Sequence, residues 1–390
     1  MKISARLVAL VAALVVALAA VTLVAVASNS SSTAAPKVAW PVVEHSAQGQ
    51  TVKLWMYGGE DTLNRYIDNE VAPRAAAAGV RLERVPIDDT AAALARIASE
   101  HDAGVKRGGA VDLLWVNGKN FEQGKAAKLW LTNWAGTVPN AKFLDPTDPT
   151  LQADFGVPVD AQELPWSRAA FVFAYDTTKV KSPPRTFADF AAYAKAHPGR
   201  VTYPAPPDFT GSAFVRQAVQ ALGENKAMKL LADLAPSLWQ GGRNYPKDET
   251  ELEQLFANGQ VDLAMSYNPN FVETAVRSGE FAATVRPYVF DSGTLQNVSF
   301  LAIPADAAHR DGAEVVANLM LSPELQALKA AQVGIPTVLD MARLADAQHT
   351  KFDTVASSPY RLGAYGTPLG ELPAARVPGM DRRWKQDVLR

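Results

Sequence analysis

Ser266-Tyr267-Asn268-Pro269-Asn270 sets hydroxyls and amides side by side, groups suited to gripping a polar solute by hydrogen bonds. Asp208-Phe209-Thr210-Gly211-Ser212 adds hydroxyls and free backbone N–H groups at a helix start, which favours an anionic or strongly polar group. Plain N-capping by Thr210 or Ser212 accounts for the same residues. Asn117-Gly118-Lys119-Asn120 offers two amides and an ammonium around a glycine. Tyr57-Gly58-Gly59 lets backbone approach a ligand closely, because glycine has no Cβ, and equally serves as a tight turn. Aromatic residues recur nearby: Tyr57, Trp115, Trp166, Tyr203, Trp239, Tyr267 and Phe271. Their faces can stack on a sugar, a planar ring or a cation, or simply fill a core.

Catalytic signatures are missing. His45, His101, His197, His309 and His349 are scattered, and none forms an H-E-x-x-H pair. Neither a G-x-S-x-G elbow nor a P-loop is present. Acidic neighbours such as Asp88-Asp89 and Glu60-Asp61 are expected in a chain with 40 acidic residues, and they leave a paired-carboxylate hydrolase open but unsupported. The chain has no cysteine, so disulfides, thiolate metal sites and a cysteine nucleophile are excluded.

The elements that would carry these loops alternate between strand and helix, the pattern of βαβ units. Strands are expected at 52–57, 80–85, 111–116, 168–175, 201–203, 261–265, 285–290 and 297–303. A helix carrying Leu63, Tyr66, Ile67 and Val71 should stop near Pro73. Others should cover 90–103, 187–196, 213–222 and a stretch with Leu252, Leu255 and Phe256 that ends at Asn258-Gly259. In open α/β sheets ligands sit beyond the carboxyl ends of the strands, where the polar loops lie. The strands at 168–175 and 297–303 can cross between two lobes. That predicts lobe 1 from 51 to 167, lobe 2 from 168 to 296, and a return to lobe 1 over 297–390 with C-terminal helices and a tail wrapping the surface.

At the N-terminus Lys2 and Arg6 precede an apolar run, and Ala25-Val26-Ala27 forms an A-x-A site, so residues 1–27 read as a secretory signal. The run also half-fits a membrane span, so an uncleaved anchor stays an open reading. Residues 28–50 read as a polar tether. With 390 residues the chain can build two domains, and its formal charge of −2 argues against nucleic acid.

Taken together these motifs resemble the extracellular solute-binding proteins of ABC transporters, family 1, with the type II periplasmic-binding-protein fold. The carrying residues are Gly58-Gly59 after a strand, Val111-Asp112-Leu113-Leu114-Trp115-Val116-Asn117-Gly118, Tyr175-Asp176, Pro184-Arg185-Thr186-Phe187, Phe209 to Phe214, and Gly259-Gln260-Val261-Asp262. Trp115 to Phe121 and Tyr203 to Phe214 look most like the YnjB-like subgroup. The resemblance implies an α/β two-lobe fold with mostly parallel sheets, helices on their faces and two crossing strands as a hinge. It implies a non-enzymatic receptor, probed neither by cofactor nor by metal, that hands a small solute to permease subunits driven by a cytoplasmic ATPase. A monomer is expected. The sequence departs from iron-binding members in having no adjacent tyrosine pair.

In such a cleft Asn117 and Asn120 would grip the solute from lobe 1, with Gly58 and Gly59 beside them. Tyr267, Asn268, Asn270 and the Thr210-Gly211-Ser212 helix start would hold it from lobe 2. Tyr57, Trp166 or Trp239 would supply a stacking face. Asp61 and Asp208 suit a cation and Lys119 and Arg243 an anion, so the sequence offers both signs. A secreted hydrolase or a ligand-loaded sensor partner would use the same cleft.

Overall fold

The computed structural model describes residues 38–353, 358–362 and 365–389. The expected signal lies outside them, and no helix among the described residues is long and apolar enough to cross a membrane. Residues 40–390 form one compact unit. The stretch expected as tether is helical over Trp40–Ala47. Its Val43 and Ala47 are buried in the core of the first sheet and Trp40 packs against it, spacings of three, four and seven residues that make one apolar helix face.

β1 (Thr51–Tyr57) runs parallel to β2 (Arg81–Ile87) and to β3 (Leu113–Val116). Val52, Leu54 and Met56 alternate inward along β1, the period that a half-buried strand requires. β4 (Ala153–Asp154) and β5 (Val157–Pro158) form a small hairpin. β6 (Glu163–Ala170) then runs into β7 (Val172–Asp176) with only Phe171 between them. β7 leaves for a second sheet, where it pairs antiparallel with β8 (Leu263–Ser266) and β9 (Val285–Tyr288). β10 (Thr294–Ala302) returns to the first sheet, antiparallel to both β6 and β3, and takes β11 (Pro368–Leu369) in parallel at its start. The two crossings lie side by side: the Phe171 N–H donates to Leu295 O at 2.9 Å, and Thr294 Oγ1 donates to Phe171 O.

The fold is therefore an α/β periplasmic-binding-protein arrangement, with a mixed first sheet and an antiparallel second one. Each sheet has its own core. The second is rich in aromatic rings, including Phe173 stacked on Phe290 at 4.3 Å between centroids.

Several local expectations change. Val201 to Tyr203 is fully buried but joins no ladder, because Val201 O is taken by the Trp239 N–H and Arg200 O by the Asp262 N–H. The helix expected to stop near Pro73 continues over Ala72–Ala77 after a π-helical stretch, Ile67–Val71. The Ala72 N–H reaches back five residues to Ile67 O, so a widened turn carries the helix past Pro73. The C-terminal tail does more than wrap the surface. Helix Val377–Asp387 buries Met380 and Trp384 in the core of the second sheet, and Trp384 Nε1 donates to Tyr203 Oη at 3.0 Å.

Candidate functional site

At the carboxyl end of β1 the Gly58 N–H donates to Ile87 O at 3.0 Å, and Asn64 Nδ2 closes the turn onto Gly58 O at 2.7 Å. A Cβ on Gly58 would lie 2.6 Å from Pro86 Cβ, so only glycine fits between the parallel strands here. The turn leaves Tyr57 43% exposed, with its ring folded over Gly59. Glu60 follows, half-buried.

From the other sheet, β8 delivers Ser266, Tyr267 and Asn268 to its own carboxyl end. The Asn268 N–H donates to Ser266 Oγ and the Asn270 N–H to Asn268 Oδ1, both at 2.9 Å, so this loop is locked by its own polar side chains. Asn268 and the Glu60 carboxyl lie within each other's electrostatic reach. Glu249, first residue of helix Glu249–Ala257, accepts from Ser266 Oγ at 2.5 Å and from Thr210 Oγ1.

This meeting point is acidic. Burial, then the charge of Glu249, pushes the Glu60 carboxyl up to about 7. Burial raises Glu249 to about 7 as well, against the hydroxyls of Ser266 and Thr210, with Asp208 adding to the rise. Asp208 is pushed up to about 6 by burial, with Asp248 contributing. Glu253 rises through burial and the charges of Glu249, Glu280 and Glu60. Tyr57 is pushed up to about 12 by burial and by Glu249, Asp248, Glu253 and Asp208. Among the described residues none of Glu60, Asp208, Glu249 and Glu253 forms an ion pair.

The expected contact residues divide. Tyr57, Gly58 and Gly59 share the turn after β1, and Asn268 lies in the loop after β8. Asn117 is half-buried at the end of β3, and Gly118 next to it, at φ +58°, donates its N–H to Asp154 Oδ2 at 2.5 Å. Asn120 is 8% exposed, with its Oδ1 buried and unpartnered among the described residues.

The remaining residues are held by the protein itself. Helix Phe209–Leu222 starts earlier than expected because Asp208, not Thr210 or Ser212, is its cap, accepting from the Gly211 N–H at 2.8 Å. Thr210, Gly211 and Ser212 are thus buried inside the first turn. Thr210 is spent on Glu249, and Ser212 Oγ donates to Asp381 Oδ1 at 2.8 Å. Tyr267 Oη donates to Glu371, and Asn270 Nδ2 donates to Val333 O at 2.6 Å. Trp166 is buried in the first core, edge-on to Trp115 at 5.5 Å and under the Lys329 ammonium. Trp239 is half-buried and bonded to Val201, the far end of the run that leads to Asp208.

Sequence reasoning passed over Glu60, Glu249 and Phe209. Glu60 stood among ordinary acidic neighbours, and Glu249 is an acid in a helix's first turn, a place where acids are common. Phe209 had a detectable signal, a large aromatic residue beside a cap; it is 43% exposed and lies 5.3 Å from the Tyr267 ring.

Two sheets joined by paired crossings, with polar loops at the carboxyl ends of their strands, form the frame of the molecule. Residues 71–353 match the bacterial extracellular solute-binding protein family, and the chain belongs to it. Protein YnjB of Escherichia coli (strain K12) is 37% identical over 329 residues, 79% of this chain and 84% of that protein. Among solved structures, a periplasmic thiamin binding protein superposes with a TM-score of 0.64 at 18% identity, covering 87% of this chain and 96% of its own. The ferric binding protein from Campylobacter jejuni gives 0.62 at 12% identity, covering 86% and 97%. By its family the protein is an extracellular solute-binding protein, a receptor and not an enzyme. That family leaves the hydrolase reading without support.

Proposed function

We propose that the protein is the extracytoplasmic receptor of an ABC importer, exported by its N-terminal signal and working as a monomer. It takes a small polar solute between the carboxyl ends of its two sheets and presents it to permease subunits powered by a cytoplasmic ATPase. The observations that carry this reading are the family match and the paired crossings, where the Phe171 N–H donates to Leu295 O between the two sheets. The polar loops after β1, β3 and β8 leave the carboxyl ends of their strands, where open α/β sheets bind ligands.

The contact set we favour is Tyr57, Gly58, Gly59, Glu60, Asn117, Phe209, Glu249 and Asn268. Thr210, Ser212, Tyr267 and Asn270 serve as the frame behind them. The crossings at Phe171 and Thr294 act as the hinge, since two adjacent strands can bend together while each core stays intact. Closure around a solute excludes water and strengthens each hydrogen bond made inside.

A thermal-shift screen of the chain from Ser28 against sugars, amino acids, oxyanions and organic cations tests the reading. A solute at a hundred times its dissociation constant adds about 2.7 kcal/mol to stability. One solute that raises the midpoint, with small-angle scattering showing compaction on its addition, is the expected result. Binding with no change of shape would remove the hinge.

A further inference from the structure

We propose that the hairpin turn at Phe155 is a latch between the two halves of the molecule. Its ring, seated on the Arg216 guanidinium, holds the proposed cleft shut, and opening requires the ring to leave that seat. This rests on the receptor reading and adds the element that sets the balance between open and closed forms.

The turn itself is out of character. Ala153–Asp154 and Val157–Pro158 pair across two central residues, Phe155 and Gly156, with φ of +45° and +81°. Asparagine, aspartate or glycine usually fills a two-residue turn of positive φ. A bulky side chain is strained there, so contacts beyond the turn must hold it. Phe155 is only 7% exposed, yet its ring joins none of the apolar cores packed on the two sheets.

What covers the ring comes from the second sheet's side. Arg216 lies on helix Phe209–Leu222, whose Phe214, Val215 and Ala218 belong to the second core. Its guanidinium carbon stands 5.5 Å from the centre of the Phe155 ring and 5.2 Å from that of Phe209. Such a cation–π contact is strongest away from water, and Arg216 is 1% exposed. The C-terminal strap adds one bond, from the Ala374 N–H to Phe155 O at 3.1 Å. The hairpin's root lies on the other side, where Asp154 accepts from the Gly118 N–H after β3. A Cβ on Gly118 would come within 3.4 Å of the Phe155 ring. The turn therefore reaches from the loop of Asn117 to the helix that starts at Phe209, two stretches we assign to solute contact.

The seat survives without its occupant. Arg216 keeps its two bonds to Glu371, at 2.7 and 3.2 Å, and its bond to Ser212 at 3.0 Å, whether or not the ring is present. The ring's departure therefore leaves no unpaired charge. It gives up one ring contact and one backbone hydrogen bond, which water can replace. A contact of that size biases an equilibrium between two forms without fixing either.

Single-molecule energy transfer on the chain from Ser28 tests the latch. The chain has no cysteine, so dyes attached through Gln123→Cys and Asn225→Cys label those positions alone. Both are exposed, on helices Lys119–Ala126 and Glu224–Leu234, one from each half. Phe155→Asn suits the turn and removes the ring. Without added solute it should raise the ratio of long-distance to short-distance molecules by about three- to thirtyfold, the worth of one desolvated cation–π contact. Phe155→Tyr, which keeps a ring, should match the parent. A lower urea midpoint for Phe155→Asn with the parent's distances would make Phe155 an ordinary packing residue and overturn the latch. Glucose, glutamate, phosphate and putrescine, added to the parent, keep that failure apart from failure of the receptor reading: one that raises the melting midpoint leaves the receptor standing. If none does, and the distances are the same in every chain, the receptor reading and the latch fall together.

Discussion

Tyr267 donates its hydroxyl to Glu371 at 2.5 Å, although 104 residues separate them in the chain. Glu371 also takes Arg216 Nε at 2.7 Å, and both side chains of that ion pair are almost wholly buried. The C-terminal tail thereby anchors the loop that follows β8. Removing the carboxylate with Glu371→Ala leaves a buried guanidinium unpaired and should cost about 3–5 kcal/mol in urea unfolding. Tyr267→Phe, which deletes one hydrogen bond and keeps the ring, should cost about 1 kcal/mol and leave solute affinity unchanged. A marked loss of affinity in Tyr267→Phe alone would return Tyr267 to the contact set.

That pair also shows where sequence reading stops. The strands β1, β3 and β8 were legible from apolar runs, and Gly58-Gly59 and Pro269 marked their ends. Those ends are where the proposed cleft lies. Which polar residue faces solute and which is consumed by the protein did not follow, because a buried hydroxyl needs a partner just as a binding hydroxyl does. Thr210 found Glu249 and Ser212 found Asp381, partners 39 and 169 residues distant. Glu60 and Glu249 were visible only as two of many acids. Val201 to Tyr203 has the composition of a strand, yet its hydrogen bonds go to loop residues, a tertiary choice with no local signature.

Trp384 offers a test of how far the tail belongs to the core. It is 1% exposed, meets Tyr245 edge-on at 5.2 Å and bonds Tyr203 through its indole nitrogen. Trp384→Ala should lower stability by about 3–5 kcal/mol, the usual loss for a large buried aromatic residue. Truncation before Val377 should do at least as much. If the truncated chain unfolds at the same urea midpoint as the full one, the tail is an accessory.

Asn270 and Gly334 tie the two sides together behind the cleft. Gly334 has φ +77°, and a Cβ there would lie 1.9 Å from Asn270 Cγ, the side chain that bonds Val333 O. Gly334→Ala must therefore strain the backbone and displace Asn270. Gly279→Ala is the matched control, with φ +80° and nothing within 4 Å of the added methyl. The control should lose about 1 kcal/mol from backbone strain alone. Gly334→Ala should lose about 1–3 kcal/mol more, from the broken buried bond. Equal losses in thermal unfolding would mean that Asn270 moves aside freely.

The acidic cleft predicts a pH dependence of definite sign. Glu60 and Glu249 rise from an ordinary 4.5 to about 7, so across that window the folded chain keeps protons that the unfolded chain has released. Stability is then fully present below about 4.5 and is lost as pH rises through about 7. The groups facing the pair act in the same direction: Asp208 is itself raised to about 6, and Asp248, Glu253 and Tyr57 add only negative charge or none. Glu314, on helix Arg310–Met320, adds a like slope through its own rise to about 7, so the cleft's share must be isolated by substitution. Without solute, the melting temperature should fall between about pH 5 and pH 8, and less steeply in Glu60→Gln and in Glu249→Gln. Parallel melting curves for parent and variants across the whole range would mean that solvent reaches these carboxyls freely in the folded chain.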